Sequence, residues 1–209
     1  MSRPVAIAVA IGALGACTTA QSARVLAPGQ TQISVAANRV SVTDEDGVIW
    51  YGQVMVRRGL APKVDAGLIL TRTPGGSGGV SMLAAEPKLQ LTAHGAKTTF
   101  SLGLAAGALW SDQSTRDGLE GDVTGFLVSP TAYLGFELSP GAELVAAPRL
   151  YLIIPDEGGD NQTAFGATVG VRFTDAARSW AIHPELTYLA VEDADETFLT
   201  LGVSVSAGD

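Results

Sequence analysis

From residue 31 to the C-terminus, apolar residues recur at every second position rather than at the three- and four-residue intervals of a helix. An alternation of period two places successive side chains on opposite faces of a strand. Segment 98–111 shows it plainly. Phe100, Leu102, Leu104, Ala106, Ala108 and Trp110 fall on one face, and Thr99, Ser101, Gly103, Ala105 and Gly107 on the other. Segment 162–174 repeats the arrangement, with Phe165, Ala167, Val169, Val171 and Phe173 opposite Gly166, Thr168, Gly170 and Arg172. The same pattern predicts strands over 31–42, 49–60, 63–73, 79–93, 98–111, 124–138, 142–155, 162–174, 179–192 and 197–207. Each is about as long as the 9 to 11 residues that a tilted strand needs to cross a bilayer.

The connections alternate in character. Ala61-Pro62, His94-Gly95-Ala96-Lys97, Pro140-Gly141 and Asp175-Ala176-Ala177-Arg178 read as tight turns, whereas 43–48, 74–78, 112–123, 156–161 and 193–196 are generally longer or more acidic. Short turns at one rim and longer loops at the other, with an even strand count, predict an up-and-down antiparallel barrel. A weak internal repeat runs through it: Glu86-Pro87-Lys88-Leu89, Ala147-Pro148-Arg149-Leu150, His183-Pro184-Glu185-Leu186 and the looser Ser129-Pro130-Thr131-Ala132. Proline cannot donate to a ladder, so four prolines in one phase predict bulges or bends.

Alternation alone does not separate a membrane barrel from a soluble one, so the less apolar face decides. In strand 98–111 that face is small rather than charged, which suits a confined lumen better than a water-facing surface. Charged residues within strands share its phase: Arg57, Asp65, Glu86, Lys88, Glu137, Arg149, Arg172 and Glu185, with His183 beside them. Both signs occur, so a polar network across the interior is expected. A charge facing lipid at mid-depth would cost about 2 to 4 kcal/mol. Trp50, Trp110, Phe126, Phe136, Phe173 and Trp180 lie towards strand ends, where interfacial girdles belong.

Ahead of the barrel, Met1-Ser2-Arg3 precedes an uncharged apolar run, Pro4 to Leu14, the layout of a secretory signal. That run is well short of the roughly 20 residues a membrane helix needs. Leu14-Gly15-Ala16-Cys17 resembles the lipobox of bacterial lipoproteins, and the resemblance implies acylation of Cys17 as the mature N-terminus. The expected organisation is a signal peptide over 1–16, a lipidated N-terminus and tether over 17–30, and a barrel domain over 31–209. Cys17 is the only cysteine, so an internal disulfide is excluded.

Composition narrows the function. Only 16% of residues are charged, against roughly 25% in ordinary soluble domains, and mean hydropathy is positive. A net charge of −8 argues against nucleic acid as a partner, since phosphate binding needs clustered Lys and Arg.

In pattern the chain resembles the small bacterial outer-membrane β-barrel proteins. Val54-Met55-Val56-Arg57-Arg58-Gly59-Leu60-Ala61-Pro62-Lys63-Val64-Asp65-Ala66-Gly67-Leu68 looks like a hairpin of such barrels. Thr200-Leu201-Gly202-Val203-Ser204-Val205-Ser206-Ala207 is similar to the signal read by the barrel-assembly machinery, although it lacks a terminal aromatic. The resemblance implies an outer-membrane location, lipid anchorage through Cys17, and the bilayer and that machinery as partners.

No cofactor or metal site is expected. One cysteine and two distant histidines cannot assemble a zinc cluster, and Asp156-Glu157-Gly158-Gly159-Asp160-Asn161 lacks the ordered pattern of a calcium loop. Three functional classes stay open. The first is a non-catalytic barrel lipoprotein with a structural or surface-interaction role. The second is a tethered, lipocalin-like periplasmic barrel holding an apolar ligand. The third is a small lipid-modifying enzyme using His183 as a base oriented by Glu185.

Overall fold

The computed structural model describes residues 21–42, 48–73, 79–112, 125–156, 160–175, 177, 179–192 and 197–208. Ten strands follow one another: β1 (Thr31–Val42), β2 (Val48–Ala61), β3 (Val64–Arg72), β4 (Gly79–Gln90), β5 (Thr98–Asp112), β6 (Gly125–Ser139), β7 (Ala142–Pro155), β8 (Gln162–Thr174), β9 (Trp180–Val191) and β10 (Thr197–Ala207). Each pairs antiparallel with its sequence neighbours, and β1 pairs with β10, so the sheet closes on itself. Closure removes the unpaired strand edges that a bilayer would not tolerate. A strand of 12 residues, such as β4, spans about 30 Å when tilted near 40°, the thickness of a hydrocarbon core.

The turns at one rim are tight because their residues suit them. Pro140-Gly141 joins β6 to β7, and Gly141 takes φ +103°, a conformation that residues bearing a Cβ rarely adopt. Asp175 closes the β8–β9 turn by accepting hydrogen bonds from the Trp180 amide and the Ser179 hydroxyl, both at 3.0 Å. The Trp180 amide in particular holds the Asp175 carboxyl below its ordinary pKa.

The four repeat prolines do not make the bulges expected of them. Pro87, Pro130, Pro148 and Pro184 all face outward and keep one neighbour in register: Ala66, Leu104, Ala167 and Val203 respectively. On the other side the ladder skips the pairs around each proline and resumes unshifted, as from Ala85↔Ala106 to Lys88↔Gly103. Register shifts fall instead beside turns, at Gly59/Ala61 and Glu137/Ser139. A strand carried by neighbours on both flanks tolerates a missing N–H without changing register.

The outer surface is apolar. Ile33, Val35, Leu68, Leu104, Phe165, Val169, Leu201 and Val205 are 47 to 60% exposed, and many others resemble them. So continuous a surface far exceeds the apolar patch of a few hundred Å² seen on soluble monomers. Aromatics mark both margins. Trp50, Trp110 and Phe126 lie at the rim of the longer connections, and Phe136, Phe173 and Trp180 at the rim of the tight turns.

Inside, the barrel has two halves. Towards the longer connections the inward side chains form a buried apolar cluster that includes Val40, Tyr51, Ile69, Met82, Leu109, Leu127, Ile153, Leu189 and Phe198. Towards the turns the inward positions are mostly polar, charged or small, with the buried charges Arg57, Asp65, Glu86 and Lys88 among them, and there the candidate site lies.

Candidate functional site

Four of the expected lumen charges meet on three adjacent strands. β2 supplies Arg57, β3 supplies Asp65 and β4 supplies Glu86 and Lys88, all inward by strand alternation and all at most 2% exposed. The register explains the meeting, because Asp65 stands opposite Lys88 and Arg57 opposite Gly67. Arg57 pairs with Asp65 through Nη2 and donates from Nη1 to Glu86 Oε2 at 2.7 Å. Lys88 Nζ lies 3.7 Å from Asp65 Oδ2. Two cations and two carboxylates leave the group neutral, the condition under which charges survive out of water.

Glycine makes the space. A Cβ on Gly67 would stand 2.9 Å from Arg57 Cγ, and one on Gly103 would stand 2.8 Å from Glu86 Oε1 and 2.9 Å from a Tyr133 ring carbon. The small face that the sequence shows in β5 is therefore room left for large side chains arriving from neighbouring strands.

Residues 21–30, read from the sequence as a tether, run inside this half of the barrel. Gln30 and Gly29 pair with Gly59 through two backbone hydrogen bonds of 2.9 Å at the turn-side mouth. Further in, the Leu26 amide donates to Asp65 Oδ2 at 3.0 Å and the Val25 amide to Gln90 Oε1 at 3.1 Å. The Ser101 hydroxyl donates to the Ala23 carbonyl at 2.6 Å. Gln21 reaches deepest, donating from Nε2 to Glu86 Oε2 at 2.9 Å and to the Tyr133 hydroxyl at 2.7 Å. Lys88 Nζ donates to Gln21 Oε1 at 3.0 Å, to the Ser22 carbonyl at 2.9 Å and to the Arg24 carbonyl at 3.0 Å. An irregular segment without a sheet of its own has its backbone groups satisfied by the wall, which is what lets it be buried.

The other expected residues are placed around this centre. Arg149 donates to Thr131 Oγ1 at 2.8 Å and to the Tyr133 hydroxyl at 3.3 Å, and Tyr133 in turn donates to Glu86. Glu137 sits apart at the mouth, about one-third exposed, paired with Arg24 at 2.6 Å. Arg172 lines a water-accessible cavity of about 410 Å³ at the same mouth, with Arg24, Glu137 and Glu143. His183 and Glu185 are buried on β9, across the lumen from the charge cluster. Neither ring nitrogen of His183 has a hydrogen-bond partner among the described residues, so Glu185 does not orient it. His94 lies exposed in a turn against the Pro62 carbonyl.

Sequence reasoning missed Gln21, Ser22, Arg24, Gln90, Tyr133 and Glu143. Strand phase could have found the last three, since all occupy inward positions. Glu143 accepts from the Ser22 hydroxyl at 2.6 Å. Nothing in a short polar stretch says whether it lies free or in a lumen. Cys17 and residues 113–123 of the expected connection 112–123 lie outside the described residues, as does part of 156–161. Among the described residues, no three His, Cys, Asp or Glu side chains stand together as metal ligands would.

The fold is that of the outer-membrane type of β-barrel: closed, antiparallel, ten-stranded, apolar outside, with buried charges in one half of its lumen. The translocator domain of the autotransporter NalP from Neisseria meningitidis superposes over 98% of this chain and 96% of its own, with 12% identity and a TM-score of 0.51. The N-terminal barrel domain of Pseudomonas aeruginosa OprF covers 85% of this chain and 98% of its own at 12% identity and a TM-score of 0.41. Ail of Yersinia pestis covers 87% and 99% at 12% identity and 0.39. No family model and no curated protein matches the sequence.

Proposed function

We propose that this chain is an integral barrel of a bacterial outer membrane with a structural or surface-interaction role rather than a catalytic one, its lumen closed by its own N-terminal segment. One observation carries the reading. The outer surface exposes leucine or valine on every strand, while Arg57, Asp65, Glu86 and Lys88 are buried inside. That inversion is stable only with lipid outside, and it speaks against the tethered soluble barrel. Two barriers then lie in series along the axis, the segment 21–28 under Lys88 and the apolar cluster beyond it. Such an interior serves a scaffold better than a channel. Contact with partners falls to the connections after β1, β3, β5, β7 and β9, of which 113–124 is the longest. The bilayer and, during assembly, the barrel-assembly machinery complete the set of partners.

Acylation of Cys17 belongs to the same proposal and gains a constraint from the lumen. Four residues extend the chain by at most about 14 Å, so a lipid on Cys17 lies within that distance of Gln21. Seating Gln21 against Glu86 and inserting the lipid at the turn-side rim therefore draw on the same few residues.

The test compares full-length protein with Cys17→Ser in isolated membranes, with labelled palmitate and with gels run before and after boiling. A heat-shifted, membrane-embedded band in both, with label in the first alone, is the expected result. A Cys17→Ser protein found soluble in the periplasm would overturn the membrane barrel, and an unlabelled parent chain would overturn the lipid anchor.

A further inference from the structure

Three exposed cations share one sector of the turn-side rim. Arg58 points outward from β2, Lys63 lies in the turn to β3, and Lys97 lies in the turn just before β5. The two turns touch, because the His94 ring rests against the Pro62 carbonyl. Arg58 stands opposite Ala66, three residues along from Lys63, so those two backbones are about 10 Å apart. The three side chains make no hydrogen bond or ion pair among the described residues. The carboxylates of these strands lie elsewhere: Asp65 and Glu86 are buried in the lumen, and Asp112 ends β5 at the far rim. Arg24 and Arg172, also near this mouth, line the cavity inside it.

Between its charges the same sector is apolar. Leu60, Leu68, Leu89 and Leu91 are 43 to 60% exposed there, continuous with the rest of the apolar outer wall. A soluble acidic partner would have to cover those leucines as well as reach the cations, whereas a lipid meets both at once. Arg58 lies three residues from the end of β2, and an outward arginine near a membrane interface costs only about 0 to 1 kcal/mol. Its guanidinium fork suits phosphate oxygens, and each lysine adds a point charge. Three positive charges gathered in one sector of a chain of net charge −8 select an anionic headgroup. Their spread over two hairpins is wider than a single phosphate, and a lipid with two phosphodiesters matches it, in the way that basic membrane pockets hold cardiolipin.

Resting on the membrane-barrel reading above, we infer that Arg58, Lys63 and Lys97 form a docking site on the outer wall for an anionic phospholipid with two phosphates, in the leaflet at the tight turns. One phosphate sits between Arg58 and Lys63, and the other turns towards Lys97. The acyl chains lie along the wall over Leu68 and Leu89.

The experiment uses the full-length protein refolded into neutral detergent micelles, with cardiolipin or the single-phosphate lipid phosphatidylglycerol added and bound lipid counted by native mass spectrometry. Arg58→Gln/Lys63→Gln/Lys97→Gln is compared with the parent chain and with Arg39→Gln, an outward arginine near the opposite rim. Expected are cardiolipin adducts on the parent and on Arg39→Gln, reduced at least fivefold in the triple variant, and a similar reduction on the parent when phosphatidylglycerol replaces cardiolipin at equal phosphate concentration. Equal cardiolipin adducts on parent and triple variant, or as many adducts of the single-phosphate lipid on the parent, would overturn the site. A heat-shifted gel band is scored for every variant. Absence of that band in the parent sinks the membrane barrel itself, whereas a retained band with unchanged adducts sinks the docking site alone.

Discussion

Lys88 Nζ on β4 stands 2.9 Å from the Ser22 carbonyl oxygen, and through that contact and two like it a strand residue holds a segment with no secondary structure of its own. The ammonium lies between carbonyl oxygens on one side and Asp65 on the other, and 5.4 Å from the centre of the Tyr133 ring. Lys88→Met keeps the length and removes the charge, which leaves Asp65 and Glu86 to share Arg57. Breaking a buried charge set in this way costs about 3 to 5 kcal/mol. The variant should lose its heat-shifted band at a lower temperature than the parent, and a cysteine placed at Ala23 should react with a soluble thiol reagent in Lys88→Met membranes and resist it otherwise. Equal reactivity would mean that Lys88 does not secure the segment.

Closure of the lumen by two independent barriers gives a second prediction. Deleting residues 21–28 should open the turn-side mouth and leave the buried cluster around Tyr51, Leu189 and Phe198 in place. In planar bilayers the deletion should conduct no better than the parent chain. Conductance should appear only when Leu189→Ser and Phe198→Ser are added, because an apolar constriction excludes water and ions until it is made polar. A deletion that conducts alone would place the whole barrier in the N-terminal segment.

The third prediction concerns the glycines of the inner wall. A side chain at Gly103 would occupy the space held by Glu86 and Tyr133, whereas Gly52 on the outer wall has nothing nearer than the Ala36 carbonyl at 3.9 Å. Gly103→Val should therefore displace the carboxylate from its partners and lower stability by several kcal/mol, through strain and an unpaired buried charge. Gly52→Ala should stay within about 0.5 kcal/mol of the parent. Urea unfolding from detergent micelles measures both, and similar midpoints for the two variants would show that the inner wall yields without loss.

Most of the barrel was legible because alternation is a local signal. Every strand lies within a few residues of the segment its pattern marks, the one real difference being the end of β4 at Gln90 rather than at residue 93. Facing was legible too, since a face of Ser101, Gly103, Ala105 and Gly107 suits no water-exposed wall. The four-charge cluster was legible only as a set of residues in phase, because the contact of Arg57 with Glu86 depends on the register across two hairpins. Two features were not legible. Placing Gln21 against Glu86 requires knowing that the chain turns inward at Gly29. The apolar half of the lumen looks like membrane face when each strand end is read alone. The proline repeat predicts bulges that do not form, since a break in one ladder leaves the pairing on the strand's other flank to hold the register.

The fourth prediction separates depth from facing on the outer wall. Leu104 lies near the middle of β5 and Leu138 two residues from the tight turn after β6, and both point outward with exposures of 47 and 60%. If lipid covers this wall, arginine at the first position is buried at mid-depth and at the second reaches headgroups by extending its side chain. Leu104→Arg should cost about 2 to 4 kcal/mol and Leu138→Arg about 0 to 1, read as unfolding free energies from lipid vesicles. In a soluble barrel both positions would face water and the two variants would cost the same, within about 0.5 kcal/mol. The difference between the two therefore reports where the hydrocarbon begins, independently of any anchor on Cys17.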